Sequence, residues 1–458
     1  MEREDAGSGD GAGGAPIGEP AGTYDEAQEA HEANQGEHDQ AHDDVAPVAT
    51  RHGRLPRHSG PRTAVKLVAS TAAVLLVSAG AVGAYAAADL VGSVGTGVTL
   101  ANEEILEGVP DIGAMDGGLS FLLVGSDKRP ADGSFGDPEV DSGVLNDVNM
   151  LLHISQDHSH VEVVSFPRDM MVAVPECPDP VDPASGPLSA MSEVPLNSVL
   201  GHGGLGCVVM TIEQLTGTKI PVGGVVEFKG VAALSSAVGG VEVCLVDPID
   251  DEDSGLHLPA GRSTIEGYDA LAFLRTRHSV GDGSDLARIA SQQAFLASLA
   301  RTLQSSGTLS DPVKLYSIAK AVLSNMELSN YLQNPTVLMS IARTLQDVDL
   351  SKIAFIQYPT AEYGDGQHVV PADSAEAVNL ALQEDRPVVL DPTANDNSEF
   401  GTAAADPAAG PAEAPAAEEA PAATEPPATA SAPPAEQLPP DVTGLTGDEV
   451  RCATSNDG

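Results

Sequence analysis

The chain has 458 residues, with 67 Asp and Glu against 22 Lys and Arg, so its formal net charge is −45. A chain this acidic lacks the basic faces that bind phosphate backbones, and we expect no nucleic-acid partner. The length allows one large domain or two ordinary ones, with residues left over for tails.

Two segments have compositions that cannot form a core. Residues 1–62 are rich in Asp, Glu, Gly, Ala and His before a basic end, and residues 393–440 repeat Ala, Pro, Glu and Thr. Because neither segment can bury enough apolar surface to offset the entropy of folding, both are predicted to be disordered. Residues 441–458 are interpreted as a C-terminal tail.

An apolar run at 67–90 predicts a transmembrane helix, since about 20 such residues span the hydrocarbon layer. The flank before it is basic and the flank after it is acidic. The positive-inside rule therefore predicts a single-pass protein of the cell membrane, with a cytoplasmic N-terminus and an extracytoplasmic domain. A cleaved signal peptide is the alternative, because Ala84-Tyr85-Ala86 resembles a cleavage site. Signal-peptide apolar regions of roughly 7–15 residues are shorter and lie nearer the N-terminus, which favours an anchor.

Residues 108–390 alternate strand-like and helix-like patterns and are predicted to form one extracytoplasmic domain. Short apolar runs predict strands at 119–124, 148–154, 161–166 and 241–246. Helices are predicted at 208–215, 231–238 and 285–303, the first two ending before glycines. Near-continuous apolar strands favour an α/β fold whose mixed sheet is covered by helices on both faces.

Four cysteines lie on the predicted outer side, where disulfides persist. Cys177 and Cys207 sit in Pro- and Gly-rich stretches that are typical of loops, so a bridge between them is preferred; it would contribute roughly 3–4 kcal/mol. All three possible pairings remain open, because sequence does not choose among them. Cys244 lies in the apolar run VEVCLV and is equally well explained as a small buried hydrophobe.

Arginine and aspartate recur in three separate segments where a core would need apolar residues. These segments are Ser126 to Arg129, Pro167 to Asp169 and Arg275 to Arg277, and the last continues toward Asp285, Arg288 and Gln292. Unpaired arginines repel one another and are costly to desolvate, so their convergence favours an anionic ligand. The guanidinium fork matches phosphate oxygens, and nearby carboxylates are hard ligands for Mg²⁺. The pattern therefore predicts a phosphate site.

The helix at 285–303 connects this cluster to an apolar surface. Asp285, Arg288 and Gln292 share one face near its start, and that face continues through Phe295 and Leu299. A ligand with a charged head and a long apolar tail would suit such a face. The alternative is that Phe295 and Leu299 belong to the core. A separate stripe is predicted to pack on the sheet, and it comprises Leu286, Ile289, Ala290, Leu296 and Ala297.

Six blocks of the sequence resemble, in order, those of the LytR-CpsA-Psr family. They read FLLVGSDKR, NDVNMLLHIS, VEVVSFPRDM, LNSVLGHGG, VEFKGVAALSSAVGGVEV and YDALAFLRTRHSVGDGSDLARIASQQAFL. The resemblance covers about residues 119–305 and continues to about residue 390. Six ordered blocks are far more specific than any one of them alone.

The resemblance implies a phosphotransferase with the family's α/β domain. It would move a glycopolymer from a polyprenyl-pyrophosphate carrier onto peptidoglycan, next to the membrane and with Mg²⁺ or Mn²⁺. By motif, Asp127 and Asp147 match the metal ligands. The implied pyrophosphate contacts are Arg129, Arg168, Arg275, Arg288 and Gln292. The implied catalytic residues are Arg129, Arg168, Asp169, Arg275 and Arg277. For two of them an alternative stays open: Asp169 could orient a neighbouring arginine, and Arg277 could be a solvated surface charge. The apolar face with Phe295 and Leu299 would take the lipid tail.

Two other classes of function remain open at this point. A polyprenyl-pyrophosphate phosphatase would use the same cluster with water as the acceptor. A non-enzymatic envelope-binding or regulatory protein would use the Arg and Asp side chains for binding alone. The acidic N-terminal segment has neither a helix-turn-helix pattern nor a basic face, which disfavours direct gene regulation.

Overall fold

A computed structural model describes residues 60–106, 118–129, 133, 143–252, 254–276, 284–305, 307–308, 311–395 and 434–454. Several sequence-based predictions lie outside these residues: the acidic tail at 1–59, most of the Ala- and Pro-rich segment at 396–433, and Arg277.

The described residues form eight helices and seventeen strands. The helices are α1 Gly60–Gly92, α2 Val199–Thr216, α3 Phe228–Val238, α4 Gly267–Arg275, α5 Asp285–Gln304, α6 Pro312–Asn325, α7 Pro335–Asp347 and α8 Ala375–Gln383. The strands are β1 Leu119–Ser126, β2 Asn146–Ile154, β3 Val161–Phe166, β4 Met171–Val174, β5 Met191–Pro195, β6 Val222–Val226, β7 Val241–Leu245, β8 Ile249–Asp251, β9 Leu256–Leu258, β10 Gly261–Ile265, β11 Met326–Leu328, β12 Ile353–Gln357, β13 Thr360–Glu362, β14 Val369–Pro371, β15 Val388–Val389, β16 Glu436–Gln437 and β17 Gly444–Thr446.

The main sheet has seven strands in the order β11-β6-β1-β2-β3-β12-β17. The strands β1, β2 and β3 pair antiparallel, whereas β6 and β12 pair parallel to β1 and β3. The sheet is therefore mixed, as the sequence predicts.

Both faces of this sheet are covered. Leu122, Leu151 and Val164 pack on one face in a cluster with α2 and α8. Met150 and Val163, which point the opposite way along their strands, pack in a second cluster with α5. Two covered faces explain why these strands are almost continuously apolar.

The predicted helices are confirmed, with one shift. Gly217 and Gly239 end α2 and α3 with φ of 72° and 90°, a conformation that glycine adopts without strain. However, α2 begins at Val199 rather than at 208, because the glycine-rich stretch before residue 208 lies inside it. Gly203 and Gly204 break the helical geometry there.

The predicted transmembrane segment lies within α1. Among the described residues, α1 is the one helix long and apolar enough to cross a membrane. No described residue of α1 is fully buried within the protein.

The predicted C-terminal boundaries are wrong. The strand β16, placed by sequence in the disordered segment, pairs with β15, and β17, placed in the tail, forms the edge of the main sheet beside β12. Leu438, Val442 and Leu445 are each at most 1% exposed. The apolar residues around 438–445 are few and widely spaced, so the average composition of the segment hid them.

The structure contains two disulfides. Cys177 is bonded to Cys207, the pairing that the sequence favours, and Cys244 is bonded to Cys452. Cys244 is buried, as the apolar run around it predicts, but it is disulfide-bonded as well. Its partner lies 208 residues further along the chain, too far for a local pattern to indicate the pair.

Candidate active site

Three strands of the sheet deliver polar residues to one place. The strand β1 ends where β2 begins, with Ser126 opposite Asn146, and β3 ends beside the same part of β2, with Phe166 opposite Asn149. Antiparallel pairing therefore brings the residues after β1, at the start of β2 and after β3 to the same end of the sheet. These residues include Asp127, Asp147, Arg168 and Asp169.

Asp127 and Asp147 lie at this end of the sheet, close enough for the charge of one carboxylate to act on the other. The Asp127 Oδ1 atom accepts a hydrogen bond from the backbone N–H of Leu145 at 2.7 Å. Burial and the negative charge of Asp147 raise the pKa of Asp127. Carboxylate oxygens are hard ligands of the kind that Mg²⁺ prefers, and Asp127 and Asp147 are the residues that would hold such an ion.

Arg168 lies at the centre of the acidic side chains. Its Nη1 atom is 2.6 Å from Asp147 Oδ1, and its Nε atom is 3.4 Å from Asp169 and 3.5 Å from Asp285. Burial opposes the charge of Arg168, but the hydrogen bond to Asp147 and the three carboxylates raise its pKa. The guanidinium therefore stays charged and fixed in orientation.

The start of α5 contributes a second arginine, which is buried. Ser284 caps this helix by accepting a hydrogen bond from Ala287 N–H at 3.1 Å, which places Asp285 in the first turn. Arg288 is 4% exposed, donates to the Asp285 carboxylate, and lies 3.3 Å from the backbone oxygen of Asp147. Asp285 thus contacts both Arg168 and Arg288.

The other predicted residues lie around this centre. Arg275 ends α4 and stacks its guanidinium 4.4 Å from the ring centroid of Phe228. Gln292 is 4% exposed and donates to the Leu274 carbonyl at 3.1 Å. Arg129 follows β1 and is close enough for its charge to lower the pKa of Asp127 slightly against the effect of burial. Arg277 lies outside the described residues.

Two supporting residues were not predicted as part of the site. Asn146 is fully buried; its amide donates to Asn149 and to the Leu196 carbonyl, and its oxygen accepts from Leu200 N–H. Asn197 donates to Asp169 at 3.3 Å. Both asparagines lie in the NDVN and LNS segments, whose polar residues beside apolar strands are the signal that could have indicated them.

A large apolar cavity opens behind the charged cluster. It has a volume of about 660 Å³ and is lined by the sheet and by helices α3 to α7. Asp147, Arg275, Arg288 and Gln292 are among its few polar lining residues.

The helix α5 presents Phe295 and Leu299 to this cavity. Phe295 is 5% exposed and also packs with Phe273, so it belongs to the core and to the cavity wall together. Leu296, predicted to pack on the sheet as part of a separate stripe, lines the cavity as well. Ala290, Leu296 and Ala297 of that stripe also pack in the cluster that contains sheet residues such as Met150 and Val163.

The sequence profile of the LytR-CpsA-Psr family matches residues 94–384. The chain belongs to this family.

Named relatives come from two bacteria. The cell wall biosynthesis protein LcpA of Corynebacterium glutamicum is 31% identical over 317 residues, which are 62% of this chain and 59% of LcpA. The polyisoprenyl-teichoic acid–peptidoglycan teichoic acid transferase TagT of Bacillus subtilis is 27% identical over 309 residues, which are 65% of this chain and 87% of TagT. The match therefore spans less than two thirds of LcpA.

Among solved structures, a LytR-Csp2A-Psr enzyme from Actinomyces oris superposes with a TM-score of 0.45 and 22% identity. The superposition covers 60% of this chain and 92% of that protein.

Proposed function

We propose that the protein transfers a glycopolymer from a polyprenyl-pyrophosphate carrier to peptidoglycan at the outer face of the membrane. The observation that carries the proposal is the junction of a partly buried arginine–aspartate cluster with a cavity of about 660 Å³. Such a site fits a ligand that joins a multiply charged anion to a long apolar chain. The names of LcpA and TagT, a cell wall biosynthesis protein and a teichoic acid transferase, support the same class.

The arginines hold the pyrophosphate. Arg168 and Arg288 are positioned by Asp285 before any ligand arrives, so they need not reorganise as charge develops on the phosphoryl oxygens. Arg129, Arg275 and Gln292 complete the ring of donors around the anion. The apolar tail lies along Phe295 and Leu299.

Asp127 and Asp147 are the residues that would hold Mg²⁺. When bound, the ion neutralises phosphoryl charge that the arginines alone do not balance. The Asp127 carboxylate must be ionised to take this role, and its raised pKa makes that ionisation depend on pH.

The acceptor is a hydroxyl group of a peptidoglycan sugar. Its oxygen forms a bond to the phosphorus next to the glycopolymer, and the bond from that phosphorus to the bridging oxygen breaks. Polyprenyl phosphate leaves with the electron pair of the broken bond. We assign the hydroxyl proton to Asp169, because its side chain is the most exposed of three carboxylates in the cluster and is therefore the most open to an incoming acceptor. The side chain of Asp169 is 30% exposed, whereas those of Asp147 and Asp285 are 26% and 18% exposed.

The test is transfer by the purified protein with Mg²⁺, a lipid-pyrophosphate donor and peptidoglycan fragments, read by mass spectrometry. We expect a product that contains donor sugar, phosphate and acceptor. The variant Arg168→Ala should lose this product, whereas Arg262→Ala, which removes a surface pair with Glu242, should retain it. Donor hydrolysis without transfer would instead indicate a phosphatase, and retention of transfer in Arg168→Ala would remove this arginine from the site.

A further inference from the structure

A polar contact attaches the end of α1 to α6. Lys320 Nζ donates to Asp89 Oδ2 at 2.6 Å, and the Tyr316 hydroxyl donates to the same carboxylate oxygen. Tyr316 and Lys320 are four residues apart on α6 and therefore share a face. Leu90 and Val94 pack beside this contact, in an apolar cluster with α6 and β11. The last turn of α1 is thus part of the domain that holds the active site.

The connection from α1 into the domain is short. Val98 N–H donates to Leu328 O at 3.0 Å, and Asn330 N–H donates to Val98 O at 3.1 Å. The chain from Gly92 to Val98 spans at most about 22 Å when fully extended. If α1 ends in a membrane, that membrane therefore lies within reach of β11 and of the preceding helix α6.

The composition of α6 suits a lipid surface. In a chain with a net charge of −45, this helix carries Lys314 and Lys320 and no acidic residue. The preceding Asp311 directs its carboxylate to the backbone N–H of Val313 at 2.8 Å. Val313 is an apolar residue that is nevertheless 70% exposed. Lysine with exposed apolar side chains is typical of helices that lie in the headgroup layer.

We infer that the face of α6 from Val313 to Lys320 docks on the outer headgroup layer of the bilayer that α1 crosses. This inference rests on the proposed membrane location and deepens the proposed function. Leu315, Ile318 and Val322, on another face of the same helix, line the cavity. The cavity then lies about one helix diameter, roughly 10 Å, from the lipid. A carrier tail can pass from the bilayer into the cavity beside α6 without crossing bulk water.

The absence of tryptophan from the sequence allows a direct test. Single-tryptophan variants of the full chain are reconstituted in vesicles with brominated lipids, and quenching of their fluorescence is measured. Val77→Trp, in α1, reports insertion; Val313→Trp reports docking; Val181→Trp, on the β4–β5 connection and 91% exposed, is the control. Circular dichroism checks that each variant keeps the native helix content.

We expect quenching at positions 77 and 313 and not at 181. Quenching at 77 alone would overturn docking and leave the membrane location intact. A lack of quenching at 77 would overturn both. Equal quenching at 181 and 313 would mean that α6 is not the docking surface. None of these readings depends on transfer activity, so failure of the proposed function is measured separately.

The Asp89–Lys320 pair supplies an independent arm of the test. In the Val313→Trp background, Asp89→Lys or Lys320→Asp places like charges together and should weaken the quenching at least about twofold. The double exchange restores opposite charges and should restore the quenching. Equal quenching in all four proteins would show that this contact does not hold α6 at the membrane.

Discussion

At the scale of single residues, Asp285 links the two most buried arginines of the site. Its carboxylate contacts both Arg168 and Arg288, so removing its charge leaves two guanidinium groups that repel each other. We expect Asp285→Asn to lower the transfer rate about 100-fold through misplacement of these groups. The matched control is Asp269→Asn on the exposed side of α4, which should leave the rate unchanged. Equal rates for the two variants would remove Asp285 from the site.

The ionised carboxylate of Asp127 should have opposite effects on stability and on activity. Its pKa in the folded protein is raised by burial and by Asp147, so folding favours the protonated form. The favourable contribution is present below the ordinary pKa of an aspartate and is lost as the pH rises through the raised pKa of the folded state. Near neutral pH the ionised carboxylate therefore lowers the free energy of unfolding.

We expect Asp127→Asn, measured without divalent metal, to raise the melting temperature at pH 7, and the gain to disappear below about pH 4. The same variant should lose transfer activity about 100-fold or more, because it removes one of the two proposed metal ligands. In the unmodified protein at subsaturating Mg²⁺, activity should fall as the pH drops through the raised pKa of Asp127, because metal binding requires the ionised carboxylate. A variant that is less stable at pH 7 would contradict this account of the carboxylate pair.

Single-residue roles were only partly predictable from sequence. Arginine and aspartate stood out because their charge conflicts with the apolar strands around them. Asn146 did not stand out, because an uncharged amide at a strand end is common. Its importance comes from hydrogen bonds to the backbone of Leu196 and Leu200, which only the fold brings close to it.

At the scale of elements, the wall that α6 contributes to the cavity can be tested by filling the space. Ala319 lines the cavity, so Ala319→Phe should occupy part of the room that the lipid tail needs while adding apolar contacts. We expect the KM for a long-chain donor to rise about tenfold and that for a short-chain donor to change little. Kinetics with both donors check this, with Thr336→Phe at the exposed start of α7 as the control. Equal effects on both donors would place the tail elsewhere.

Strands β1 to β3 and the helix α5 were predictable because each carries a long, regular apolar pattern. The early start of α2 was not predictable, because the nine residues at 199–207 include four glycines and carry no helical signal by themselves. Tertiary packing of Val199, Leu200 and Leu205 in the core holds that segment in place.

At the scale of the whole molecule, the segment 434–454 closes the fold. Arg301 on α5 donates to the carbonyls of Gly447 and Glu449, and the Cys244–Cys452 bond fixes the end of the segment. Sequence alone could not predict this closure, because its partners come from α5, β7 and β12, far away in the chain.

The two disulfides should differ in what they contribute to stability. The Cys244–Cys452 bond closes a loop of 208 residues and the Cys177–Cys207 bond closes one of 30. In the loop-entropy account their removal costs about 5 and about 3.6 kcal/mol, respectively. Urea unfolding of Cys244→Ala/Cys452→Ala and Cys177→Ala/Cys207→Ala should reproduce that order. A larger loss for the shorter loop would show that β17 and its neighbours are held without the bond.

In the proposed reaction, the phosphorus next to the glycopolymer moves from the lipid carrier to peptidoglycan. The most direct measurement uses a donor labelled with ³²P at that phosphorus, incubated with the full-length protein, Mg²⁺ and peptidoglycan. We expect the label to become bound to peptidoglycan while unlabelled polyprenyl phosphate is released, and Arg288→Ala to abolish both. Label found only in free sugar phosphate, or left in the lipid, would contradict transfer.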